Sequence, residues 1–307
     1  MVRADPSAGA LAGWGAESRF ITASDGVDLH YLRWSSGRSP PRAAIIFLHG
    51  IASHAGWFGE TAADLNRQGV AVSGPDRRGS GRSGGPRGHL ERYGRALDDV
   101  EEMVRLVSSE HRTTPIFLAA SSWAAKLAVV YAAQRPGSLS GLLLLGPGLL
   151  PRVNLSPSRQ LVVVVGHLVA PTTRLPIPLT PELYTANPPY VDFIRRDRLR
   201  LLEATTRFIW ETARLDRQRG RASAHLNLPL LVLQGEDDMM MDVAKTRRWF
   251  SKLSVEDKAY VAYPGRAIRW TSSRTAPGTW PTCSRGCRIG SRRGRPGRRA
   301  VIPRWRR

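Results

Sequence analysis

Short apolar runs alternate with amphipathic stretches along most of the chain. The run AAIIFLHG (43–50) is apolar and ends in glycine, which is typical of a strand buried on both faces. PIFLAAS (115–121) and SGLLLLGP (140–147) predict further strands, and GRALDDVEEMVRLVSSE (94–110) and WAAKLAVVYAAQRP (123–136) predict helices. This alternation predicts an α/β fold with a mostly parallel sheet and helices on both faces.

The same pattern divides the chain into three parts. Strands and helices alternate through residues 1–147 and again through 228–265, which we predict to form one α/β core. Residues 148–227 interrupt the alternation with a Pro-rich stretch and one long predicted helix, YVDFIRRDRLRLLEATTRFIWETARL (190–215). We interpret them as a helical cap insertion, either a lid or a plain helical excursion. Residues 266–307 form a basic tail that we predict to be disordered.

The net charge of +21 is concentrated at one end of the chain. A balance of 46 Lys and Arg against 25 Asp and Glu would by itself indicate a nucleic-acid or anionic-membrane partner. Residues 266–307, however, hold 13 Arg and no acidic residue, so they account for +13 and leave +8 for the rest. We therefore expect no nucleic-acid partner unless the tail is genuine.

Cysteine content and apolar run length narrow the class of protein. Both cysteines, Cys283 and Cys287, lie in the tail, so we expect neither a disulfide framework nor a zinc site. The first residues lack the basic-then-apolar layout of a signal peptide. The longest apolar runs, at 161–170 and 139–150, are too short for a transmembrane helix. We expect a soluble, cytoplasmic protein without a bound metal.

The strongest chemical signal is a serine between a predicted strand and a predicted helix. In AASSWAAKLA (119–128) the letters ASSWA centre on Ser122 and form small-x-Ser-x-small, a nucleophile-elbow pattern with alanine in place of both glycines. Such a turn exposes the hydroxyl at a helix N-terminus, where backbone N–H groups favour a developing oxyanion. A helix-capping serine is the simpler alternative, and Ser121 is the neighbouring candidate nucleophile.

Four motifs occur in a specific order. HGIASHAGWF follows an early strand, PDRRGSGRS spans residues 75–83, the SSWAAKLA elbow comes next, and LLVLQGEDD comes last. Together they resemble the monoacylglycerol lipase and lysophospholipase branch of the α/β-hydrolase fold over roughly residues 18–265. The family has Gly-x-Ser-x-Gly and RGHGxS, where this chain has Ala120, Ala124 and Ser80.

The resemblance implies further site residues. In α/β-hydrolases two backbone N–H groups form the oxyanion hole, and here they would belong to Ile51 and Trp123. The triad acid of the family stands in a G-x-x-D turn, which matches Asp238, with Asp237 as the competitor. No cofactor is implied, because GSGRSG (79–84) matches GxGxxG but does not lie directly between a strand and its helix.

A triad of this fold also needs a histidine after the acid. The chain has seven histidines, and all of them precede Asp238: His30, His49, His54, His89, His111, His167 and His225. Where the family has a histidine shortly after YPG, this chain continues as RAIRWTSSRTAPGTW, without periodicity. The base of the triad is therefore missing from the sequence.

The composition from about Arg266 onward is that of a GC-rich gene translated out of frame. If each codon takes the third base of one residue and the first two of the next, Ile268 yields a codon ending in AT, which can encode His. The shift forces Asp at the Trp270–Thr271 junction and allows HPLDFEPDRARYLADLLAWL, a histidine loop followed by an amphipathic helix. We hypothesise one lost base near Arg266; the alternative is a genuine basic tail.

The resemblance implies acyl transfer to water through an acyl-enzyme on Ser122. An insertion rich in Leu, Val, Pro and aromatic residues suits a monoacylglycerol, a lysophospholipid or a similar ester, with contact to a membrane surface. Loss of the base would leave this polypeptide nearly inactive. The alternatives are a non-catalytic hydrolase-fold binding protein, a nucleic-acid binder acting through its tail, and an aminopeptidase. An aminopeptidase would need an acidic amine anchor in the cap, such as Glu182, Asp192 or Glu203.

Overall fold

A computed structural model describes residues 2–4, 15–135, 137, 139–152 and 156–263. The strands are β1 (Val2–Ala4), β2 (Glu17–Thr22), β3 (Asp28–Trp34), β4 (Ala43–Leu48), β5 (Val70–Pro75), β6 (Ile116–Ser122), β7 (Gly141–Pro147), β8 (Arg174–Pro176), β9 (Glu203–Thr205), β10 (Leu230–Gly235) and β11 (Lys258–Tyr263). The helices are α1 (Gly59–Arg67), α2 (Tyr93–Glu110), α3 (Ala124–Gln134), α4 (Pro157–Val169), α5 (Pro188–Arg196), α6 (Thr206–Ala222) and α7 (Val243–Ser251).

One nine-stranded sheet has the order β1-β2-β3-β5-β4-β6-β7-β10-β11. The strands from β5 to β11 in this order pair in parallel, and β1, β2 and β3 pair antiparallel at one edge. Parallel neighbours need crossover connections, which α1, α2 and α3 supply. The structure confirms the predicted α/β fold with a mostly parallel sheet.

Helices cover the two faces of the sheet unequally. On one face, α2 buries Val100, Met103, Val104 and Val107 at helical spacing against the sheet. Helix α3 is apolar on nearly every side because it lies between that face and α6. On the other face, α1 is the helix of the described chain that contributes to the core cluster.

Part of the face beside α1 is an apolar surface that is only half-buried. Phe117 in β6, Leu143 in β7, Leu231 in β10 and Val261 in β11 pack against the edge of the α1 cluster, and each remains partly exposed. Adjacent strands place these residues on one face, because alternate residues of a strand share a face. This surface, defined by these four residues, is called the open sheet face below.

The segment between β7 and β10 holds α4, α5, α6 and the small sheet of β8 and β9. The prediction of a single helix over residues 190–215 is wrong, because α5 ends at Arg196 and α6 begins at Thr206. Helix α5 ends before Asp197, whose backbone is extended and whose carboxylate accepts a hydrogen bond from Trp57 of the core. Helix α6 begins after Thr205, whose side chain caps it by accepting a hydrogen bond from the Phe208 N–H. Tertiary contacts override the helical pattern here.

The turn from β6 into α3 packs tightly against the end of β7. The N–H of Gly148 donates to the carbonyl oxygen of Ser122 at 2.8 Å. A Cβ at position 148 would lie 2.6 Å from the Ser122 carbonyl carbon and 2.9 Å from the Trp123 nitrogen. Backbone atoms cannot move aside as a flexible side chain would, so the turn accepts only glycine at position 148.

We expect Gly148→Ala to lower the free energy of unfolding by about 1–3 kcal/mol, because the new methyl group overlaps backbone atoms. Gly220→Ala is the matched control: its Cβ meets nothing within 4 Å on the exposed side of α6. The control should be neutral or should stabilise the protein by up to about 1 kcal/mol. Urea unfolding followed by circular dichroism measures both, and equal stabilities would contradict the close packing at this turn.

Candidate active site

Ser122 has the backbone conformation of a nucleophile elbow. Its φ is +49°, and in the described part of the chain no other residue except glycine has a positive φ. Left-handed backbone is unfavourable for a residue with a Cβ, so the surroundings must impose it. Gly50 makes room, because a Cβ there would lie 3.2 Å from the Ser122 Cβ. Ser121 pairs with Leu145 and Ser122 with Pro147, with a register shift between the two serines, so the sharp turn falls at Ser122 and not at Ser121.

Ser122 lies in a pocket between the carboxyl ends of the parallel strands and the cap. The pocket encloses about 910 Å³ of empty space, its mouth included, which is within the usual size of small-molecule sites. The core contributes Phe47, His49, Gly50, Ser53, His54 and Phe58, and the cap contributes Leu183, Tyr184, Thr185, Tyr190, Phe193 and Ile194. The walls are mainly apolar and aromatic, and Asp238 lines the same pocket as Ser122.

Asp238 follows β10 and is locked in place by three hydrogen bonds. Its carboxylate accepts from Gln234 Nε2 at 2.9 Å and from the N–H groups of Met240 at 2.8 Å and Met241 at 3.0 Å. Asp238 is buried, whereas Asp237 is exposed. The helix that follows is capped by Asp242 instead of either residue. The geometry therefore favours Asp238 as the acid.

The His49 ring fixes the peptide unit between Gly50 and Ile51. Its Nε2 accepts the backbone N–H of Arg77 at 2.9 Å, so the ring proton is on Nδ1, which donates to the Gly50 carbonyl at 2.8 Å. In a trans peptide the N–H of Ile51 points away from the Gly50 carbonyl. The N–H of Ile51, the predicted donor, therefore points away from the His49 ring. Ile51 is also the residue next to Gly50, which lies close to Ser122.

The side chains of both predicted oxyanion residues lie outside the pocket. Ile51 packs against the main core cluster, and the Trp123 ring stacks on Phe208 with 5.3 Å between centroids. Trp123 has helical backbone angles and directly precedes α3, so its N–H is one of the unpaired donors at a helix N-terminus. Only the backbone of these two residues can therefore serve the site.

His54, the other histidine of the pocket, is also held through both ring nitrogens. Its Nδ1 accepts the N–H of Gly56 at 3.1 Å, and its Nε2 donates to Asp197 of the cap at 3.1 Å. Trp57 Nε1 donates to the same carboxylate at 2.6 Å. Burial raises the pKa of Asp197, but the hydrogen bonds from His54 and Trp57 outweigh this effect and bring the pKa below its ordinary value.

No histidine of the pocket has a nitrogen free to take the proton of Ser122. His49 and His54 each use both ring nitrogens in other hydrogen bonds. The other five histidines also lie within the described residues, and none of them lines the pocket. The serine and the acid are thus brought together without a base among the described residues.

A second serine, histidine and aspartate lie outside the pocket at triad-like distances. Ser18 Oγ is 2.7 Å from His30 Nε2, and His30 Nδ1 is 2.7 Å from Asp76 Oδ2. Ser18 lies within strand β2, however, and Asp76 also accepts from the N–H groups of Ala55 and Arg82. We interpret this set as a structural tie between β3 and two loops near the pocket. Sequence analysis missed it because its members are far apart in the chain.

Tyr184 is a polar pocket residue that sequence analysis did not identify. Its ring packs edge-on against Trp57, with 5.3 Å between centroids. The phenol oxygen is buried and has no hydrogen-bond partner among the described residues. Burial raises the pKa of Tyr184, so the phenol keeps its proton at neutral pH. No sequence signature marks a cap tyrosine; only the folded cap brings it over the pocket.

Ser122 stands at a strained turn after one parallel strand, and the acidic Asp238 follows a later strand. This is the chain order of an α/β-hydrolase. Comparison with known proteins identifies the family within this fold. The family model described as serine aminopeptidase, S33 matches residues 39–267, and the chain belongs to this family. The match covers most of the core and the whole cap segment.

Relatives with named activities are similar over most of their length. The monoacylglycerol lipase of Mycolicibacterium smegmatis is 29% identical over 78% of this chain and 85% of its own. The phospholipase YtpA of Bacillus subtilis is 24% identical over 76% and 90%. The crystal structure of Paleococcus ferrophilus monoacylglycerol lipase has the same fold, with a TM-score of 0.69 and 23% identity over 77% of this chain and 89% of that one.

The His49 ring should make stability pH-dependent. Burial, and secondarily the charge of Arg77, lowers the pKa of His49 to about 3. The unfolded chain takes up a proton on this ring below about pH 6.5, whereas the folded chain does not until near pH 3, so stability falls as pH falls through this window. The expected slope is about 1 kcal/mol per pH unit.

We expect His49→Asn, which keeps a donor near Nδ1 but cannot titrate, to remove about one proton from this slope. Urea unfolding between pH 6 and pH 4 measures the slope in the parent and in the variant. His225→Asn replaces an exposed histidine and is the control that should leave the slope unchanged. The same slope in the parent and in His49→Asn would show that the His49 ring is not held neutral.

Proposed function

We propose that this chain is built as a serine carboxylic-ester hydrolase for monoacylglycerols, lysophospholipids or similar acyl esters. One observation carries the proposal: Ser122 stands at a strained elbow in a pocket that also holds Asp238 and has apolar walls from the cap. Relatives named monoacylglycerol lipase and phospholipase support this substrate class.

In the proposed mechanism, Ser122 Oγ attacks the ester carbonyl while a histidine takes its proton. The N–H groups of Ile51 and Trp123 hold the oxygen of the tetrahedral intermediate. The histidine then gives its proton to the leaving alcohol, and an acyl-enzyme remains. Water, activated by the same base, releases the carboxylic acid and restores the serine. Asp238 orients the histidine and stabilises its charged form.

The pairing of β10 with β11 supports the proposed position of that histidine. Tyr263 lies opposite Gly235, and the N–H of Glu236 donates to the Tyr263 carbonyl at 2.8 Å. The chain therefore leaves β11 beside the loop that carries Asp238. The hypothesis of a lost base places a histidine codon at position 268, five residues beyond Tyr263. The end of the family match at residue 267 supports the same break point.

The open sheet face supports the frame hypothesis independently. Its partly exposed apolar residues run across β6, β7, β10 and β11, and among the described helices only α1 packs at its edge. An apolar sheet face is normally buried against another layer. The shifted frame encodes ARYLADLLAWL, an amphipathic helix, directly after the histidine loop. That helix is of the kind this face requires.

The pocket favours an acyl ester over an aminopeptidase substrate. Glu182 and Asp192 are exposed and both pair with Arg195, and Glu203 is exposed near Arg174. None of these three acidic residues lines the described pocket. A charged α-amino group would meet mainly apolar walls, where an unpaired charge is costly.

The decisive experiment compares the encoded chain with a frame-restored protein. The gene is sequenced across the codons for Tyr263 to Trp270, and one base is inserted there so that a histidine follows the YPG turn. We expect the restored protein to react with a fluorophosphonate probe and to hydrolyse a monoacylglycerol. The encoded chain should keep only about 10³–10⁴-fold catalysis over water. Equal activity of the two proteins would contradict the assignment of the missing base.

Variants of the restored protein test the individual roles. Ser122→Ala should abolish labelling, and Asp238→Asn should lower kcat by about 10⁴-fold. Asp237→Asn is the matched control and should leave kcat unchanged. A restored protein that folds but does not react would indicate a non-catalytic binding protein. Salt-sensitive binding of nucleic acid by the encoded chain, lost on removal of residues 266–307, would indicate a genuine basic tail.

We also propose that the cap contacts a membrane surface through α4. Large apolar side chains on this helix are 45 to 76% exposed: Leu161, Val162, Val164, Val165, Leu168 and Val169. The opposite side of α4 is buried, and the His167 ring stacks on Trp210 with 3.8 Å between centroids. An exposed apolar patch of this kind marks an interaction surface. No helix within the described ranges is long and apolar enough to cross a bilayer.

Sedimentation with neutral phosphatidylcholine vesicles tests this contact, because neutral lipid minimises binding through the basic tail. The double variant Leu168→Ser, Val169→Ser should bind at least about tenfold more weakly, since each side chain contributes about 1.5–3 kcal/mol when buried. Leu202→Ser replaces an exposed cap leucine outside α4 and should bind as the parent does. Unchanged binding of the double variant would refute docking through α4.

A further inference from the structure

Arg77 lies behind the predicted oxyanion hole and contacts both of its residues. Its Nη2 donates to the carbonyl of Ile51 at 3.0 Å. Its guanidinium carbon is 4.8 Å from the centroid of the Trp123 ring and 5.3 Å from that of Phe208. Ile51 and Trp123 are the residues whose N–H groups serve the proposed mechanism. One guanidinium thus touches the residues that supply both donors.

The loop of residues 49–53, which carries the predicted donor Ile51, is called the oxyanion loop. Four of its consecutive carbonyls each accept a hydrogen bond from a different donor. Gly50 accepts from the His49 ring, Ile51 from Arg77, Ala52 from the N–H of Leu201 in the cap, and Ser53 from the Ser80 hydroxyl. Arg77 contributes to two of these hydrogen bonds. Its guanidinium donates to the Ile51 carbonyl, and its backbone N–H donates to Nε2 of His49, the ring that binds the Gly50 carbonyl. The peptide units on both sides of Ile51 therefore depend on Arg77.

Within the part of the chain that the structure describes, the Arg77 guanidinium has no direct counter-ion. Its Nε and Nη1 are closed off from solvent and have no hydrogen-bond partner among the described residues. Burial lowers the pKa of Arg77 to about 10, so the group stays protonated at neutral pH. The nearby Asp76 carboxylate is engaged by His30, Ala55 and Arg82. A cation of this kind favours negative charge that develops close to it.

We propose that Arg77 is a positioning residue for the oxyanion hole. Its guanidinium fixes the Ile51 peptide by donating a hydrogen bond to the Ile51 carbonyl, and it packs against the Trp123 ring. It also supplies positive charge close to the residues that carry the two donors. It acts through these residues and does not contact the substrate. The proposal rests on the proposed function, because it assumes that these two N–H groups hold the oxyanion.

The encoded chain can test this role without a histidine base. Hydrolysis that survives loss of the base depends on the oxyanion hole and on substrate binding. Residual hydrolysis of p-nitrophenyl butyrate is compared between the encoded chain and Arg77→Met, which keeps the stem but removes the charge and the hydrogen bond. We expect kcat to fall about 10- to 100-fold with KM unchanged, because the donor is displaced rather than deleted.

Two further variants separate positioning from plain structural support. Arg77→Lys keeps the charge and loses the planar fork, so its kcat should lie between those of the parent and Arg77→Met. Arg78→Met is the matched control: Arg78 pairs with Asp99 and Asp25 and should lower Tm without changing kcat. Equal kcat losses in Arg77→Met and Arg78→Met, or a loss that a higher KM explains, would overturn the proposal.

Hydrogen exchange gives a readout that needs no activity. Protection of the segment 49–53 should fall in Arg77→Met and should be unchanged in Arg78→Met. Unchanged protection in Arg77→Met would overturn the proposal. If Ser122 is unreactive in the frame-restored protein, the proposed function fails. The exchange comparison in the encoded chain needs no reactive serine, so it still decides whether Arg77 holds the segment 49–53 in place.

Discussion

The site depends on one unfavourable backbone angle, the left-handed φ of Ser122. A residue with a Cβ in this region costs on the order of 1–3 kcal/mol, which the neighbouring structure must offset. Strand β6 is fixed by pairing with β4 and β7, and α3 begins directly after the turn. Gly148 leaves space where a Cβ would collide with backbone atoms, and a Cβ at Gly50 would be in tight contact with Ser122. A straight continuation of β6 would leave the serine in the sheet. The turn instead places Ser122 directly before α3, where it lines the pocket.

The sequence predicted those features that depend on neighbouring residues. Alternating strands and helices, the elbow at Ser122 and the acidic loop after β10 are local patterns, and each is found where it was predicted. The choice of Asp238 over Asp237 needed the backbone N–H groups that only the folded loop presents. The helix over residues 190–215 failed because Asp197 bonds to a loop far away in sequence. No sequence pattern could have identified the contacts of Arg77 either, because Ile51, Trp123 and Phe208 are distant from it in sequence.

The missing base and the open sheet face are deficits of different kinds. One concerns proton transfer, and the other concerns burial of apolar surface against a second layer. Under the frame hypothesis both have one origin, because the histidine loop and the amphipathic helix are consecutive in the shifted frame. A basic tail by itself would account for neither. Under this hypothesis, the catalytic and the structural deficits both arise from the few codons after β11.

The hydrogen bonds between the cap and the oxyanion loop restrict how this architecture can change. Asp197 accepts from His54 and Trp57, and the N–H of Leu201 donates to Ala52. The cap segment 197–201 is thus also a part of the loop's framework. A cap exchanged for that of a relative would have to bring its own acceptor for His54 and its own donor for Ala52. The cap is therefore not an independent unit, because replacing it would also remove partners that hold a loop of the core in place.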